Sequence, residues 1–270
     1  NRFVTHGRLL RIMRICNNPS SRIFFDQKPL FNQEFKDYLG RDWLDTKACS
    51  KKEFMAFCKR NPILFSKSPN GMFGKGVDPI YIEDIKDLDV FYDKCKKDKI
   101  LLEEVLTQND ELAAFNNSAV NTIRIVTLIC ADDSIRIMAA VLRLSRKGKF
   151  ADNFHHDGIA ALIDIETGLV NTVGVDRKWN RYTVHPDSRK SIVGFQIPKW
   201  SEILATVKNA AWVHPEVRYV GWDVTIKGNG EIVLIEGNSG ADPDVTQVED
   251  QIGKWPLYEP LLKDIEKMKF

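Results

Sequence analysis

Three oxygen-bearing side chains, those of Asp223, Glu236 and Asn238, accompany two apolar segments late in the chain. The segments are joined by residues 227–230, Lys-Gly-Asn-Gly, which is a strong hairpin-turn signal. Across such a hairpin the two carboxylates can face each other, and with the amide oxygen they form a set of hard ligands that suits Mg²⁺. Solvated hairpin carboxylates explain Asp223 alone equally well, but Glu236 leaves a buried strand, where a carboxylate needs a partner, ideally a cation.

A glycine-rich segment, residues 68–76, provides a second candidate site. Gly71, Gly74 and Gly76 lack side chains, so backbone N–H groups there can approach an anion closely. Lys67 on the preceding strand and Lys75 within the segment add positive charge. The spacing matches neither a Walker A motif nor a dinucleotide-binding fingerprint. A flexible hairpin tip explains the same glycines equally well.

A pair of acidic residues interrupts the apolar strand predicted over residues 100–106. A planar base can lie against such a strand and bond its backbone, with Glu103 near an exocyclic amine and Glu104 beside it. Periodicity alone favours an ordinary buried strand.

Two arginines lie inside apolar strands, and a polar loop follows the second of them. An arginine there is either buried with a partner or lines a site, because its guanidinium is a fork-shaped donor for carboxylate and phosphate. We favour the site for Arg143 and leave both alternatives open for Arg124. Asn153 and His155 in the loop are further candidates. Histidines in a loop are more often structural or exposed than metal ligands, and no further histidine is spaced for zinc.

The elements that position these groups are predicted helices and strands. The order of these elements, with mostly hairpin-linked strands, predicts an α+β fold. Residues 1–60 are predicted to be helical and polar, and Ser50 with Glu53 matches a capping box. Helices are predicted over residues 33–39, 50–60, 83–97, 200–212 and 260–269. Strands are predicted over residues 63–67, 77–82, 100–106, 122–130, 134–145, 159–164, 169–173, 219–226 and 231–235.

Composition excludes several classes of protein. The 270 residues carry 39 basic and 37 acidic side chains, a formal charge of +2, which lacks the basic excess of a nucleic-acid binder. No apolar run approaches the 18 or more residues of a membrane-spanning helix. The five cysteines form no CxxC pair, so neither a disulfide framework nor a zinc site is indicated. They are expected to be buried thiols of a cytoplasmic protein.

In their order along the chain, these groups resemble the ATP-grasp superfamily. The metal-binding end of D-alanine–D-alanine ligases is similar to residues 221–224 (GWDV) and 234–238 (LIEGN). The segment 143–155 resembles α-L-glutamate ligases. Sugar-transfer-associated ATP-grasp proteins are similar over 152–155 (DNFH), 182–187 (YTVHPD) and 194–200 (GFQIPKW). The resemblance extends over residues 25–250.

The resemblance implies an ATP-grasp fold in which two α+β lobes clasp the nucleotide. A short helical segment (1–60) would precede a small lid lobe (61–110) and a large lobe with the metal site (111–270). ATP and Mg²⁺ are the implied cofactors. The implied metal ligands are Asp223, Glu236 and Asn238. The implied ATP-binding residues are Lys67, Gly71, Gly74, Lys75, Gly76, Glu103, Glu104, Leu106 and Asp110. The implied catalytic residues are Arg143, Asn153 and His155. A second phosphate-contacting lysine, usual before Lys67, is not recognised.

The implied activity is ATP-dependent ligation of a carboxylate to an amine through an acyl phosphate, in the modification of a polysaccharide or cell-surface polymer. The implied partners are small carboxylate and amine substrates, including sugar-linked ones. A kinase on the same fold, phosphorylating a hydroxyl of a sugar, is the first alternative, and a required amine separates the two. A non-catalytic nucleotide-binding module is the second, although decayed sites usually lose their metal ligands first. His185 and Asp187 are further candidates for contacting substrate.

Overall fold

The fold is given by a computed structural model that describes residues 2–67, 79–148, 154 and 158–268. The helices are α1 (His6–Cys16), α2 (Ile23–Asp26), α3 (Lys28–Glu34), α4 (Lys51–Arg60), α5 (Leu88–Asp98), α6 (Asp110–Ala113), α7 (Trp200–Ala211) and α8 (Trp255–Lys267). The strands are β1 (Trp43–Asp45), β2 (Ile63–Lys67), β3 (Pro79–Tyr81), β4 (Leu101–Glu104), β5 (Thr122–Ile129), β6 (Ile135–Leu144), β7 (Ile159–Leu162), β8 (Gly174–Asp176), β9 (Arg181–Tyr182), β10 (Tyr219–Ile226) and β11 (Ile232–Asn238).

The strands form two antiparallel sheets. The smaller sheet has the order β1-β4-β2-β3, and helices α4 and α5 pack on it around buried phenylalanines and cysteines. The larger sheet has the order β11-β10-β5-β6-β7-β8-β9. Strand β5 at its centre is buried along its whole length, because helices cover both faces of the sheet. Each lobe therefore has its own hydrophobic core and a sheet edge from which polar groups can project.

The first sixty residues complete both lobes. Strand β1 joins the small sheet through β4. Helices α2 and α3 pack against the large sheet, where Phe25 and Phe35 meet the fully buried Trp222 edge-on, with ring centroids 5.9 and 5.4 Å apart. Helices α1 and α8 pack on the opposite face of the sheet. The segment is thus an integral part of the fold.

Most predicted elements are confirmed, and local signals explain the differences at their ends. Helix α4 begins after Ser50 with both bonds of the capping box formed. Helix α5 begins later than predicted because Asp87 caps its first turn. Helix α8 begins earlier, at Trp255, with a proline in its first turn. The predicted strand 169–173 makes only isolated bridges, whereas β1, β8 and β9 were not predicted.

The sequence also predicts buried, unpaired cysteines and no membrane-spanning helix. All five cysteines are free and buried. Burial raises the pKa of Cys58 to about 11 and that of Cys95 to about 12, so both thiols are protonated and unreactive near neutral pH. Within the described ranges, every helix is too short or too polar to span a bilayer.

Truncation of Phe35 tests the role of the first sixty residues. Phe35→Ala removes a fully buried ring from the contact with Trp222 and is expected to lower the free energy of unfolding by about 3–5 kcal/mol. The matched control Leu10→Ala, at a side chain 52% exposed, is expected to change it by less than about 0.5 kcal/mol. Urea unfolding measures both, and equal values for the two variants would contradict this packing.

Candidate functional site

A buried carboxylate, that of Asp223, lies at the centre of the first ion cluster. Asp223 is 3% exposed and lies opposite Arg124 in the register of β10 and β5. Arg124 donates to both carboxylate oxygens, at 2.5 and 2.8 Å, and Arg143 donates to Oδ2 at 2.7 Å. Burial alone would raise the pKa of Asp223, but the charges of the two arginines outweigh it and hold that pKa well below its ordinary value.

The other two predicted metal ligands lie beside this cluster. Glu236 is the register partner of Asp223 across the hairpin, so the two side chains lie on the same face of the sheet. Asn238 Nδ2 donates to Glu236 Oε1 at 3.1 Å, and both side chains are half-buried. Gly221 lies opposite Asn238 in the register, and a Cβ there would collide with Ala241 and crowd Arg124. The glycine is therefore required for the close approach of these segments.

A second buried carboxylate, that of Glu103, organises the other lobe. Glu103 is 3% exposed and lies one residue before the end of β4, within ion-pair distance of Lys67 at the end of β2. Its carboxylate receives Lys67 Nζ at 2.5 Å, Arg41 Nε at 3.0 Å and Asn32 Nδ2 at 2.9 Å. Burial would raise its pKa, but the charges of Arg41 and Lys67 hold it well below the ordinary value.

Arg41 ties this cluster to the large sheet. Besides Glu103, its guanidinium donates to the carbonyls of Leu234 at 2.7 Å and Ile235 at 3.1 Å, on the strand that leads to Glu236. Lys227 Nζ also donates to the carbonyl of Gly40, next to Arg41. One buried side chain therefore fixes the small-lobe carboxylate relative to the predicted metal ligands.

Lys28 is the functional candidate that the sequence prediction missed. Burial lowers the pKa of its ammonium, with Lys67 adding to the effect, while nearby Glu236 and Glu103 oppose it. Lys28 thus lies among groups of both ion clusters. It begins α3, one turn before Asn32 on the same helix face. Lys28 and Asn32 are four residues apart, and the apolar residues Phe31 and Phe35 lie beside them in the sequence. That polar spacing is the signal that could have identified Lys28.

The remaining predicted residues are placed as follows. Glu104 accepts the backbone N–H of Asp42 at 2.9 Å, and Leu106 is buried beyond the end of β4. Asp110 is exposed at the start of α6. Six predicted residues lie outside the described part of the chain: Gly71, Gly74, Lys75, Gly76, Asn153 and His155.

The two additional candidates from the sequence have structural partners. His185 is fully buried and pairs through Nε2 with the carbonyl of Ser145 at 3.0 Å, and burial lowers its pKa. Arg146 binds Asp187 with two bonds, at 2.8 and 3.1 Å, which lowers the pKa of Asp187 to about 2. These contacts hold the 183–191 loop against the end of β6, next to Arg143.

The oxygen ligands at Asp223, Glu236 and Asn238 suit a hard cation that also binds phosphate oxygens and water. Two neighbouring carboxylates repel each other unless a proton or a cation lies close to both. Among residues 2–67, 79–148, 154 and 158–268, no three His, Cys, Asp or Glu side chains are grouped to hold a metal by themselves. Mg²⁺ typically takes one or two carboxylates and completes its shell with phosphate oxygens and water. Glu236, Asn238 and Asp223 fit that kind of site.

The charge of the whole site favours an anion with several charges. Five cationic side chains surround three carboxylates: Lys28, Arg41, Lys67, Arg124 and Arg143. Because Arg41 bonds both Glu103 and the carbonyls of β11, the strand that carries Glu236, the two clusters lie next to each other between the sheets. Such a site can bind a polyphosphate and a metal ion together.

Comparison with known proteins agrees with this geometry. The family described as "Sugar-transfer associated ATP-grasp" matches residues 82–265. No curated protein matches the sequence. Among solved structures, the ATP-grasp ligase PsnB complexed with minimal precursor has a TM-score of 0.58 at 14% identity, covering 96% of this chain and 69% of that one. D-alanine–D-alanine ligase from Bacillus anthracis complexed with ATP has a TM-score of 0.54 at 12% identity, covering 94% and 70%. The expected ATP-grasp fold is confirmed.

Replacement of Glu103 tests the second ion cluster through its pH dependence. Glu103→Gln leaves Arg41 and Lys67 without their counter-charge and is expected to cost about 3 kcal/mol at pH 7. Because the pKa of Glu103 is lowered on folding, its contribution is complete above the unfolded pKa of about 4.3 and is lost as the pH falls below it. The variant should therefore lose less stability than the wild type between about pH 5 and pH 3.

Urea unfolding across this pH range makes the measurement, with Glu83→Gln as the control because Glu83 is exposed. The control should follow the wild-type curve. A Glu103→Gln curve parallel to that of the wild type would show that Glu103 is not held ionised by its partners.

Proposed function

The chain belongs to the sugar-transfer-associated ATP-grasp family, and from that premise we propose that it is an ATP- and Mg²⁺-dependent ligase joining a carboxylate to an amine. The observation that carries the proposal is the placement of Glu236 and Asn238 on β11, the strand that Arg41 joins to the buried carboxylate of Glu103 and so to Lys67. Hard oxygen ligands and cations on one site suit the phosphates of ATP with bound Mg²⁺. The solved complexes of PsnB with Mg and ADP support the same cofactors.

The nucleotide would lie between the two sheets. Lys28 and Lys67 would bind its phosphates, with Lys28 as the second lysine that the resemblance leads one to expect. The glycine-rich segment with Gly71, Gly74, Lys75 and Gly76 would cover the phosphates. The backbone of residues 104–106 would hold adenine and Asp110 the ribose. Since four donors from three side chains occupy the Glu103 carboxylate, we propose that its part is to orient Lys67.

When bound, Mg²⁺ at Asp223, Glu236 and Asn238 neutralises phosphate charge. Asp223 also fixes Arg124 and Arg143 so that their guanidiniums need no rearrangement on binding. Arg143 would place its positive charge beside the transferred phosphoryl group. Asn153 would assist Arg143.

The proposed reaction has two steps, the formation of an acyl phosphate and its attack by an amine. A carboxylate oxygen of the first substrate attacks the γ-phosphorus of ATP, the bond to the β–γ bridging oxygen breaks, and ADP leaves with that electron pair. The amine nitrogen of the second substrate then attacks the acyl carbon, inorganic phosphate leaves, and the nitrogen loses a proton. His155 would accept that proton, since an imidazole titrates near neutral pH. The protein contributes position and charge.

The substrate class is proposed from the family description, which refers to sugar transfer. We infer that the acid or the amine belongs to a polysaccharide or another cell-surface polymer, and that the protein acts in the cytoplasm.

Nucleotide binding gives the first test. With Mg²⁺ and ATP at about 100 times the dissociation constant, the wild type should gain about 2.7 kcal/mol of stability. Glu236→Gln removes a metal ligand and should lose most of this gain, whereas Glu231→Gln on the same hairpin should keep it. Thermal unfolding with ATP alone, Mg²⁺ alone and both together makes the measurement. An unchanged gain in Glu236→Gln would exclude this site as the metal site.

Trapping of the activated acid separates a ligase from a kinase. Hydroxylamine attacks an acyl phosphate and gives a hydroxamate, which a phosphorylated hydroxyl does not. With ATP, Mg²⁺ and a panel of uronic and amino acids, the wild type should form hydroxamate and ADP in equal amounts, and Glu236→Gln should form at least tenfold less. Equal ADP formation without hydroxamate, accompanied by a stable phosphorylated sugar, would establish the kinase instead.

A further inference from the structure

An exposed tryptophan projects from the edge of the large sheet. Trp179 lies in the Trp179 turn, which we define as residues 176–182, and its side chain is 65% exposed. Its backbone is left-handed, with φ of +66°. That conformation is sterically disfavoured for a residue with a Cβ. A large aromatic residue that is both solvent-exposed and backbone-strained is not explained by packing.

A buried carboxylate makes the Trp179 turn rigid. Asp176 accepts the backbone N–H groups of Lys178 and Asn180, at 2.9 and 3.0 Å. It also accepts Asn180 Nδ2 and the Tyr182 hydroxyl, both at 2.9 Å. These bonds lower the pKa of Asp176 despite its burial. Polar hydrogen bonds to Asp176 therefore fix the backbone of the turn that carries Trp179.

The Trp179 turn also concentrates positive charge on a nearly neutral protein. Residues 177–181 read Arg-Lys-Trp-Asn-Arg and are all exposed. Within the described part of the chain, neither Arg177 nor Arg181 has a carboxylate at ion-pair distance, and the carboxylate of Asp176 is used by the turn itself. A guanidinium with free donors is suited to a carboxylate or phosphate.

The register of the sheet places this charge in line with the proposed active site. Arg143 pairs with Ala160, Ala160 with Val175, and Val175 with Arg181. Directly paired residues share a face of the sheet, so Arg181 and Arg143 lie on the same face, three strand spacings or about 14 Å apart. Phe154 packs over Ala160 between them, so a ligand joining the two arginines passes above that residue.

We propose that the Trp179 turn docks an acidic polysaccharide, a chain of uronic acid units, whose next carboxylates reach Arg143 for activation. The proposal rests on the proposed ligase function and names its acid substrate. One carboxylate bound at Arg181 and another reacting about 14 Å away require an anion that repeats along a chain. An isolated indole face suits the C–H face of a sugar ring, whereas a peptide anchor is normally enclosed by an apolar pocket. All of Trp179's neighbours in the turn are polar.

Calorimetric titration with a short oligogalacturonate, without ATP, tests docking separately from catalysis. The wild type should bind it, with affinity falling as NaCl rises. Trp179→Ala and Arg181→Glu should each weaken binding about three- to tenfold or more. Trp212→Ala should not, although Trp212 is also exposed at 46%. Trp179→Gly is the decisive variant, because it should bind equally weakly yet unfold at a temperature equal to or above that of the wild type, since glycine relieves the left-handed strain.

The outcomes are distinct. Absent binding of oligogalacturonate, equal binding of a neutral maltooligosaccharide, or equal loss of affinity in Trp212→Ala would each overturn the proposal. Equal or tighter binding of a poly-glutamate peptide would replace the glycan by an acidic peptide. A large fall in stability in Trp179→Gly would make the residue structural. A protein that binds Mg²⁺ and ATP but no oligogalacturonate retains the proposed function and loses only this docking site.

Discussion

The placement of the whole site depends on the ion pair between Arg41 and the buried Glu103. Removing two charges from water costs several kcal/mol per ion, and the cost is recovered only when every donor finds an acceptor. Arg41 meets that condition by bonding Glu103 in the small sheet and two carbonyls of β11 in the large sheet. The same contacts that compensate for burial also fix Lys67 and Glu236 relative to each other.

A second cluster repeats this arrangement in the large lobe. Asp223 neutralises Arg124 and Arg143, which lie inside strands that are otherwise apolar. Each buried carboxylate therefore holds two cations in fixed positions before any ligand arrives, which is the physical basis of electrostatic preorganisation. Lys28 adds a further positive charge, which acts on Glu236 and Glu103. The protein thus keeps an excess of cations beside its buried carboxylates, which suits the binding of a polyphosphate.

Local sequence determines much of this fold but not the partners of its buried charges. The hairpin carrying Asp223 and Glu236, the capped helix α4 and strand β2 were predictable because turn, cap and periodicity signals lie within a few residues. The pairing of Arg41 with Glu103, 62 residues apart, follows only from the packing of the two sheets. The short strands β8 and β9 carry too few residues for a periodic signal. Lys28 was missed because its helix was predicted to start at residue 33.

A crystal structure with Mg²⁺ and a non-hydrolysable ATP analogue would show directly whether the nucleotide binds between the two ion clusters. We expect the β- and γ-phosphates to lie between Lys28, Lys67 and a metal bound by Asp223, Glu236 and Asn238, while Arg41 keeps its bonds to Glu103 and β11. A nucleotide bound elsewhere, or one bound here only after the contacts of Arg41 with Glu103 and β11 are broken, would contradict it.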